Sequence, residues 1–170
     1  MTRTPTFEEL FRDCRRTAVH LETRDAYMKS DLAFIDWKAG KTLDPAERWA
    51  DWHAIVTEAT ARGVEVRRAR IVSTPVSEYI RFEHAVTDGL NIAAGEDVRW
   101  LSRRRATVVA LPGNDFWLFD SSLVLLNHFD GDGENMEMEL TEDPEVAKLC
   151  ESAFEAVWAR ATPHAEFELS

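Results

Sequence analysis

Nine arginines lie between Arg62 and Arg105, against six acids, and they are the side chains of this sequence best suited to gripping a ligand. A guanidinium presents five donors in a fixed fork and holds a carboxylate or phosphate through two parallel hydrogen bonds. Val64 to Val72 alternates as a strand, so Arg68 and Arg70 share one face while Glu65 and Arg67 share the other. Near the carboxyl edge of a sheet such an arginine meets anions readily, and Arg70 and Arg99 both qualify if their strands are neighbours. Tyr79 and Arg81 follow shortly after, and Trp117 stands in an apolar strand where it can form a pocket wall. The candidate ligand-binding set is therefore Arg70, Tyr79, Arg81, Arg99 and Trp117, with the Arg103 to Arg105 run beside it. The competing reading pairs these arginines with the chain's own carboxylates and makes Tyr79, Arg81 and Glu83 a local salt-bridge network.

Other chemistry finds little support. No run resembles a Walker or dinucleotide fingerprint, and no Gly-x-Ser-x-Gly elbow exists for a serine hydrolase. The five histidines, His20, His53, His84, His128 and His164, do not pair with each other or with cysteine at zinc spacing. Asp130-Gly131-Asp132-Gly133-Glu134 opens like a calcium loop. Its sixth and twelfth positions are Asn135 and Thr141, where glycine and glutamate are required, so a hairpin turn is expected instead. Cys14 and Cys150 fall on apolar helix faces and read as packing groups, neighbours if their helices cover the same side of a sheet. The expectation is no catalytic residue, no metal and no cofactor.

Charge adds a second candidate surface. The 170 residues hold 31 acids and 20 bases, a net charge of −11. From Asp130 to Ser170 there are 12 acids and only Lys148 and Arg160, so nearly all the excess belongs to that end. Acidity argues against direct nucleic-acid binding and for a basic protein partner, with Glu151 and Glu155 as candidate contacts. No apolar stretch approaches the roughly 20 residues of a membrane helix. The first five residues carry no secretory signal, and two cysteines 136 positions apart make no disulfide framework, so a cytoplasmic location is expected.

The elements that must carry these residues are legible in outline. Thr6-Phe7-Glu8-Glu9 is a capping box before Phe7, Leu10, Phe11 and Cys14 at helical spacing. A short strand follows at 18–23, then a brief helix capped by Ser30 and stopped by Gly40. Asp44-Pro45 opens one longer helix with Trp49, Trp52, Val56 and Ala59 on its buried face. After the arginine strand, Thr74-Pro75 repeats the cap-plus-proline device, and Tyr79, Ile80, Glu83 and Val86 continue at helical spacing, a strand over 79–84 being the alternative. Strands at 98–101, 115–119, 123–129 and 135–140 precede a last helix opened by Asp143-Pro144 and lined by Val146, Leu149, Cys150, Ala153 and Val157. Helices alternating with strands, then hairpins, predict a single α/β domain over residues 1–170. Its first 62 residues are mostly helical, and 63–170 form a mixed-sheet core.

Two resemblances appear in these motifs. Phe7-Glu8-Glu9-Leu10-Phe11, Leu21-Glu22-Thr23-Arg24-Asp25, the run from Val72 to Glu83, Ala94 to Leu101, Asp115 to Asp120 and Leu140-Thr141-Glu142-Asp143-Pro144 resemble a family of uncharacterised actinobacterial proteins, a domain of unknown function of about this length. Its members are commonly encoded beside helix-turn-helix regulators, which implies a regulatory partner. Residues 98–161 also resemble the closing part of a phospholipase-D-like half domain, which implies that architecture with an N-terminal helical extension. Catalytic members of that superfamily carry His-x-Lys just before the apolar strand, the histidine as nucleophile and the lysine on phosphate. This chain has Gly113-Asn114-Asp115 there, so the resemblance implies a scaffold without the covalent step. The functional expectation is a non-catalytic interaction protein, the partner of a helix-turn-helix transcriptional regulator. The alternative is a sensor of a small anionic ligand, or a residual phosphoesterase.

Overall fold

Alternation in two central strands sorts the chain into a charged face and an apolar one. In the computed structural model, which describes residues 3–170, β1 (Thr17–Glu22) lies parallel to β2 (Glu65–Val72), and β2 lies parallel to β3 (Asp97–Ser102). β4 (Asp115–Phe119) runs antiparallel to β1, and β5 (Leu123–Phe129) and β6 (Asn135–Thr141) extend that edge as hairpins. A two-residue β7 (Thr162–Pro163), not expected from sequence, closes the far edge, giving the order β6-β5-β4-β1-β2-β3-β7. The mostly helical first third thus also supplies the strand at the sheet's centre. Of the five residues on which the expectation of no secretory signal rests, Met1 and Thr2 lie outside the described residues.

One face carries Val19, Leu21, Ala69, Ile71, Leu101, Phe116 and Leu118 under the last helix, α6 (Pro144–Trp158). Each large apolar side chain fully buried there contributes about 1.5–3 kcal/mol. The opposite face carries Ala18, Val66, Trp117, Phe119 and Leu125 beneath α1 (Phe7–Asp13) and α4 (Ala50–Ala61). Next to them α2 (Leu32–Lys38) and α5 (Glu78–Leu90) pack through Phe34, Tyr79, Phe82 and Val86. All five residues of β4 are buried, as expected for a strand apolar on both faces and covered on each side.

Several local expectations need correction. Asp31, not Ser30, caps α2, accepting from the Ala33 amide at 2.8 Å, while Ser30 Oγ donates to Glu134. The helix opened by Asp44-Pro45 is two: α3 (Pro45–Arg48) ends at Trp49, whose extended φ of −118° breaks the register before α4. Thr74 does not cap α5, its Oγ1 lying 3.3 Å from Ser102 Oγ; Ser77 caps α5 through the Ile80 amide at 3.1 Å. Tyr79 to His84 is helical. Cys14 and Cys150 lie on opposite faces of the sheet, since α1 and α6 cover different sides. The acidic hairpin turn between β5 and β6 forms as expected, Asp130 Oδ1 accepting from the Asp132 and Glu134 amides.

Candidate functional site: a buried charged cavity

β1 and β2 place four polar side chains on the helix-covered face. Their register sets His20 beside Arg68 and Glu22 beside Arg70. Period-two alternation between apolar neighbours usually turns such residues to solvent, but here all four are at most 8% exposed. Glu22 is the hub. Oε1 accepts from Arg68 Nη1, and Oε2 from Arg70 Nε at 2.8 Å. His20 Nε2 lies 3.2 Å from Oε1, while its Nδ1 donates to the Phe116 carbonyl at 2.7 Å. Burial alone would raise the Glu22 pKa; the charges of Arg70 and Arg68, with His20, outweigh it and hold the carboxyl well below its ordinary range.

A second carboxylate arrives from the turn after α5. Glu96 accepts from Arg68 Nε at 2.6 Å and from Asn91 Nδ2 at 2.7 Å. Its backbone approach depends on Gly95, whose φ is +94°, and where a Cβ would stand 2.7 Å from Thr60 Oγ1. α5 contributes a stripe four residues apart: Tyr79, Glu83 and Thr87, with Asn91 after it. Thr87 Oγ1 accepts from Arg70 Nη1 at 2.7 Å and donates to the Glu83 carbonyl at 2.6 Å.

Glu83 itself is different. Its Oε2 has no hydrogen-bond partner among the described residues and lies 3.8 Å from Arg70 Nε. Burial drives its pKa up to about 8; Arg70 and Arg68 oppose the rise, and Glu22 and Asp115 add to it. Asn91 Oδ1 is likewise without a partner, on a side chain 2% exposed. Both residues line a cavity of about 310 Å³ walled by Trp49, Trp52, Tyr79, Phe82 and Trp117 and floored by Arg68 and Arg70. That volume is at the lower end for a small-molecule pocket. Trp117 stacks on His20 at 4.4 Å between ring centroids, and the Arg68 guanidinium lies over the same indole at 5.4 Å.

Of the residues singled out by sequence, Arg70, Tyr79 and Trp117 meet here. Arg99 does not: Ala69 is its register partner and Trp100 is that of Arg70, so Arg99 points to the opposite face and stacks on Trp158 at 4.3 Å. The strands are neighbours, yet one residue of offset turns the side chain over. Arg81 is exposed on the outer side of α5. Arg103 ties strand ends together, donating to the Thr23 carbonyl at 2.5 Å and to Ser73 Oγ at 3.1 Å, while Arg104 and Arg105 are exposed. Glu151 is exposed on α6; Glu155 is half exposed and paired with Arg67 at 2.7 Å.

Sequence reasoning missed His20, Glu22, Glu96 and Asn91 and read Glu83 only as part of a helix stripe. The available signal was the polar i, i+4 row on a helix that also carried Tyr79 and Phe82. At the start of β4, Asp115 is 3% exposed and accepts from the Thr23 amide at 2.9 Å, Thr23 Oγ1 at 2.6 Å and the Tyr27 hydroxyl. Its carboxylate is a strut between β4 and the end of β1.

No curated protein matches the sequence. Among solved structures the chain is similar to Nuc of Salmonella typhimurium, a phospholipase D family member, at 11% identity and a TM-score of 0.52, covering 92% of this chain and 87% of that one. It is similar to NucT from Helicobacter pylori at 10% identity and a TM-score of 0.52, over the same shares. The fold is therefore phospholipase-D-like, and the likeness spans nearly the whole chain rather than only residues 98–161. Over residues 5–169 the sequence matches one family throughout, and the chain belongs to it: the domain of unknown function DUF6879.

Proposed function

We propose that this chain is a non-catalytic regulatory protein that takes a small molecule into the cavity beneath α4 and α5 and acts on a protein partner, a helix-turn-helix transcriptional regulator. The proposal includes a cytoplasmic location; among the described residues no helix is long and apolar enough to cross a membrane. One observation carries it. Arg68, Arg70, Glu22 and Glu96 are held at 2–8% exposure, and the two arginines floor an aromatic cavity. Burying four charges is costly, and a buried charged cluster beside a cleft is a functional-site candidate. The non-catalytic part rests on residues 113–115, where Gly113 replaces the histidine of the phospholipase-D-like pattern and the Asp115 carboxylate is occupied by Thr23 and Tyr27.

The partner would meet the acidic outer side of α6, where Glu145 and Glu151 are exposed. Titrating the purified chain with a helix-turn-helix regulator, the proposed partner, from about 50 to about 500 mM salt, spans screening lengths of about 14 to 4 Å. Affinity should fall across that range and fall again on Glu151→Gln. An affinity indifferent to salt overturns the electrostatic contact. Hydrolysis of a phosphodiester by the pure chain, abolished by Arg99→Ala, overturns the non-catalytic reading.

A further inference from the structure

We infer that the cavity ligand is a small organic cation, a primary or secondary ammonium on an apolar or aromatic body, whose N–H donors meet Glu83 and Asn91. The inference rests on the cavity being a binding site, and reverses the expectation of an anion drawn from the arginines.

The arginines are already neutralised: Glu22 takes one donor from each, Glu96 takes a second from Arg68, and Thr87 takes a second from Arg70. The surplus group is a carboxyl. Among the described residues Glu83 has an oxygen with no hydrogen-bond partner, and the nearby cation Arg70 is engaged elsewhere. Asn91, 2% exposed, adds an acceptor without a partner among the described residues, and Asp31 also lines the cavity. A ligand that brings donors satisfies what the protein leaves unsatisfied, whereas an anion would bring further acceptors to Glu83 and Asn91 and charge beside Asp31. The walls agree, because Trp49, Tyr79 and Phe82 offer ring faces that attract an ammonium group.

At neutral pH the empty Glu83 carboxyl holds its proton, so an arriving ammonium keeps its own protons and the Glu83 proton passes to buffer. The groups facing that carboxyl are Arg68 and Arg70 from β2, His20 and Glu22 from β1, Tyr27 and Asp31 before α2, Tyr79 from α5 and Asp115 from β4. Arg68, Arg70 and Glu22 are tied to one another, and Asp115 is held by Thr23 and Tyr27, so Glu83 is the acid without a hydrogen-bond partner for its Oε2 among the described residues, and we assign it the released proton.

The test uses 2-phenylethylammonium and its near-isosteres phenylacetate and 2-phenylethanol in calorimetric titrations of the full chain. Runs at pH 7 in two buffers of different ionisation enthalpy count protons. The ammonium compound should bind at least tenfold more tightly than either isostere and release close to one proton. Glu83→Gln should abolish both the preference and the release; Asn91→Ser, which keeps the carboxyl, should weaken binding but leave the proton release. Tighter binding of phenylacetate, lost on Trp117→Leu, overturns the cation and keeps the cavity as a site. Binding of none of the three, or binding unaffected by any of these substitutions, overturns the cavity reading as well.

Discussion

Arg70 and Glu83 face each other at 3.8 Å and do not hydrogen-bond. Proximity alone would make them an ion pair, but the Arg70 Nε is turned to Glu22 and its Nη1 to Thr87. A charged donor spent twice neutralises a third neighbour poorly. Burial consequently wins over the carboxyl of Glu83, and the cavity beside it is where its missing partner would sit.

That imbalance makes stability fall as pH rises. Unfolded, Glu83 titrates near 4.3; folded, its pKa is pushed up to about 8. Between those values the folded chain keeps a proton that the unfolded chain has lost, so each step upward in pH costs stability, to a total of roughly 3–5 kcal/mol. Glu83→Gln should match the wild type near pH 4.5 and exceed it above pH 8 in urea melts. His84 and His164 have pKa values lowered mainly by burial, and Asp115 one raised by it. The difference between the two proteins cancels their contributions. A constant difference across the range refutes the assignment.

Glu22→Gln should be strongly destabilising, by about 3–5 kcal/mol, because it leaves the buried Arg70 without its charged partner. The wild-type contribution is present above about pH 4.3 and disappears as pH falls through the depressed pKa of Glu22, so the deficit should shrink in acid. Glu155→Gln is the contrast. Its pair with Arg67 has one side chain half exposed, and the loss should stay below about 1 kcal/mol. Equal losses would mean that the buried network is no more than a surface pair in effect.

The layers were readable because they follow from period and caps: Thr6, Asp44 and Asp143 announce helices, and the β2 alternation names two faces. The site was half readable. Arg68 and Arg70 could be put on one face from their spacing, and Trp117 opposite Phe116. What period cannot supply is register between distant strands. Arg99 and Arg70 differ by one step in the β2–β3 ladder, which sends one to α6 and the other to the cavity. In a short alternating strand, polar residues such as His20 and Glu22 ordinarily face solvent. That side is dry because α4 and α5, both distant from β1 in sequence, fold over it.

Asp120→Asn should cost about 1.5–3 kcal/mol, a typical value for hydrogen bonds to a charged group. The carboxylate accepts from the amides of Arg15, Arg16 and Thr17 at 2.7–3.0 Å, joining the β4–β5 turn to the entry of β1. Burial pushes its pKa up, and the three amides more than offset this. Asparagine tolerates the left-handed φ of +48° at this position, so the substitution isolates charge from backbone strain. The loss should vanish at low pH, where Asp120 is itself protonated; a pH-independent loss would point to strain instead.

The same carboxylate governs Cys14. Its Sγ lies 3.5 Å from Asp120 Oδ1, and its pKa is pushed up to about 11, by burial first and by Asp120 next. Cys150 reaches about 11 through burial alone. Thiolate, not thiol, is the reactive form, so at pH 8 neither cysteine of the native chain should react with iodoacetamide, while both should after unfolding in guanidinium. Since the two lie on opposite faces of one sheet, oxidation should give no intramolecular disulfide. Asp120→Asn removes the charge beside Cys14 only. Native labelling should then rise at Cys14 and stay unchanged at Cys150, read by mass spectrometry of the peptides. A parallel rise at both sites would mean the substitution had loosened the whole core rather than relieved one thiol.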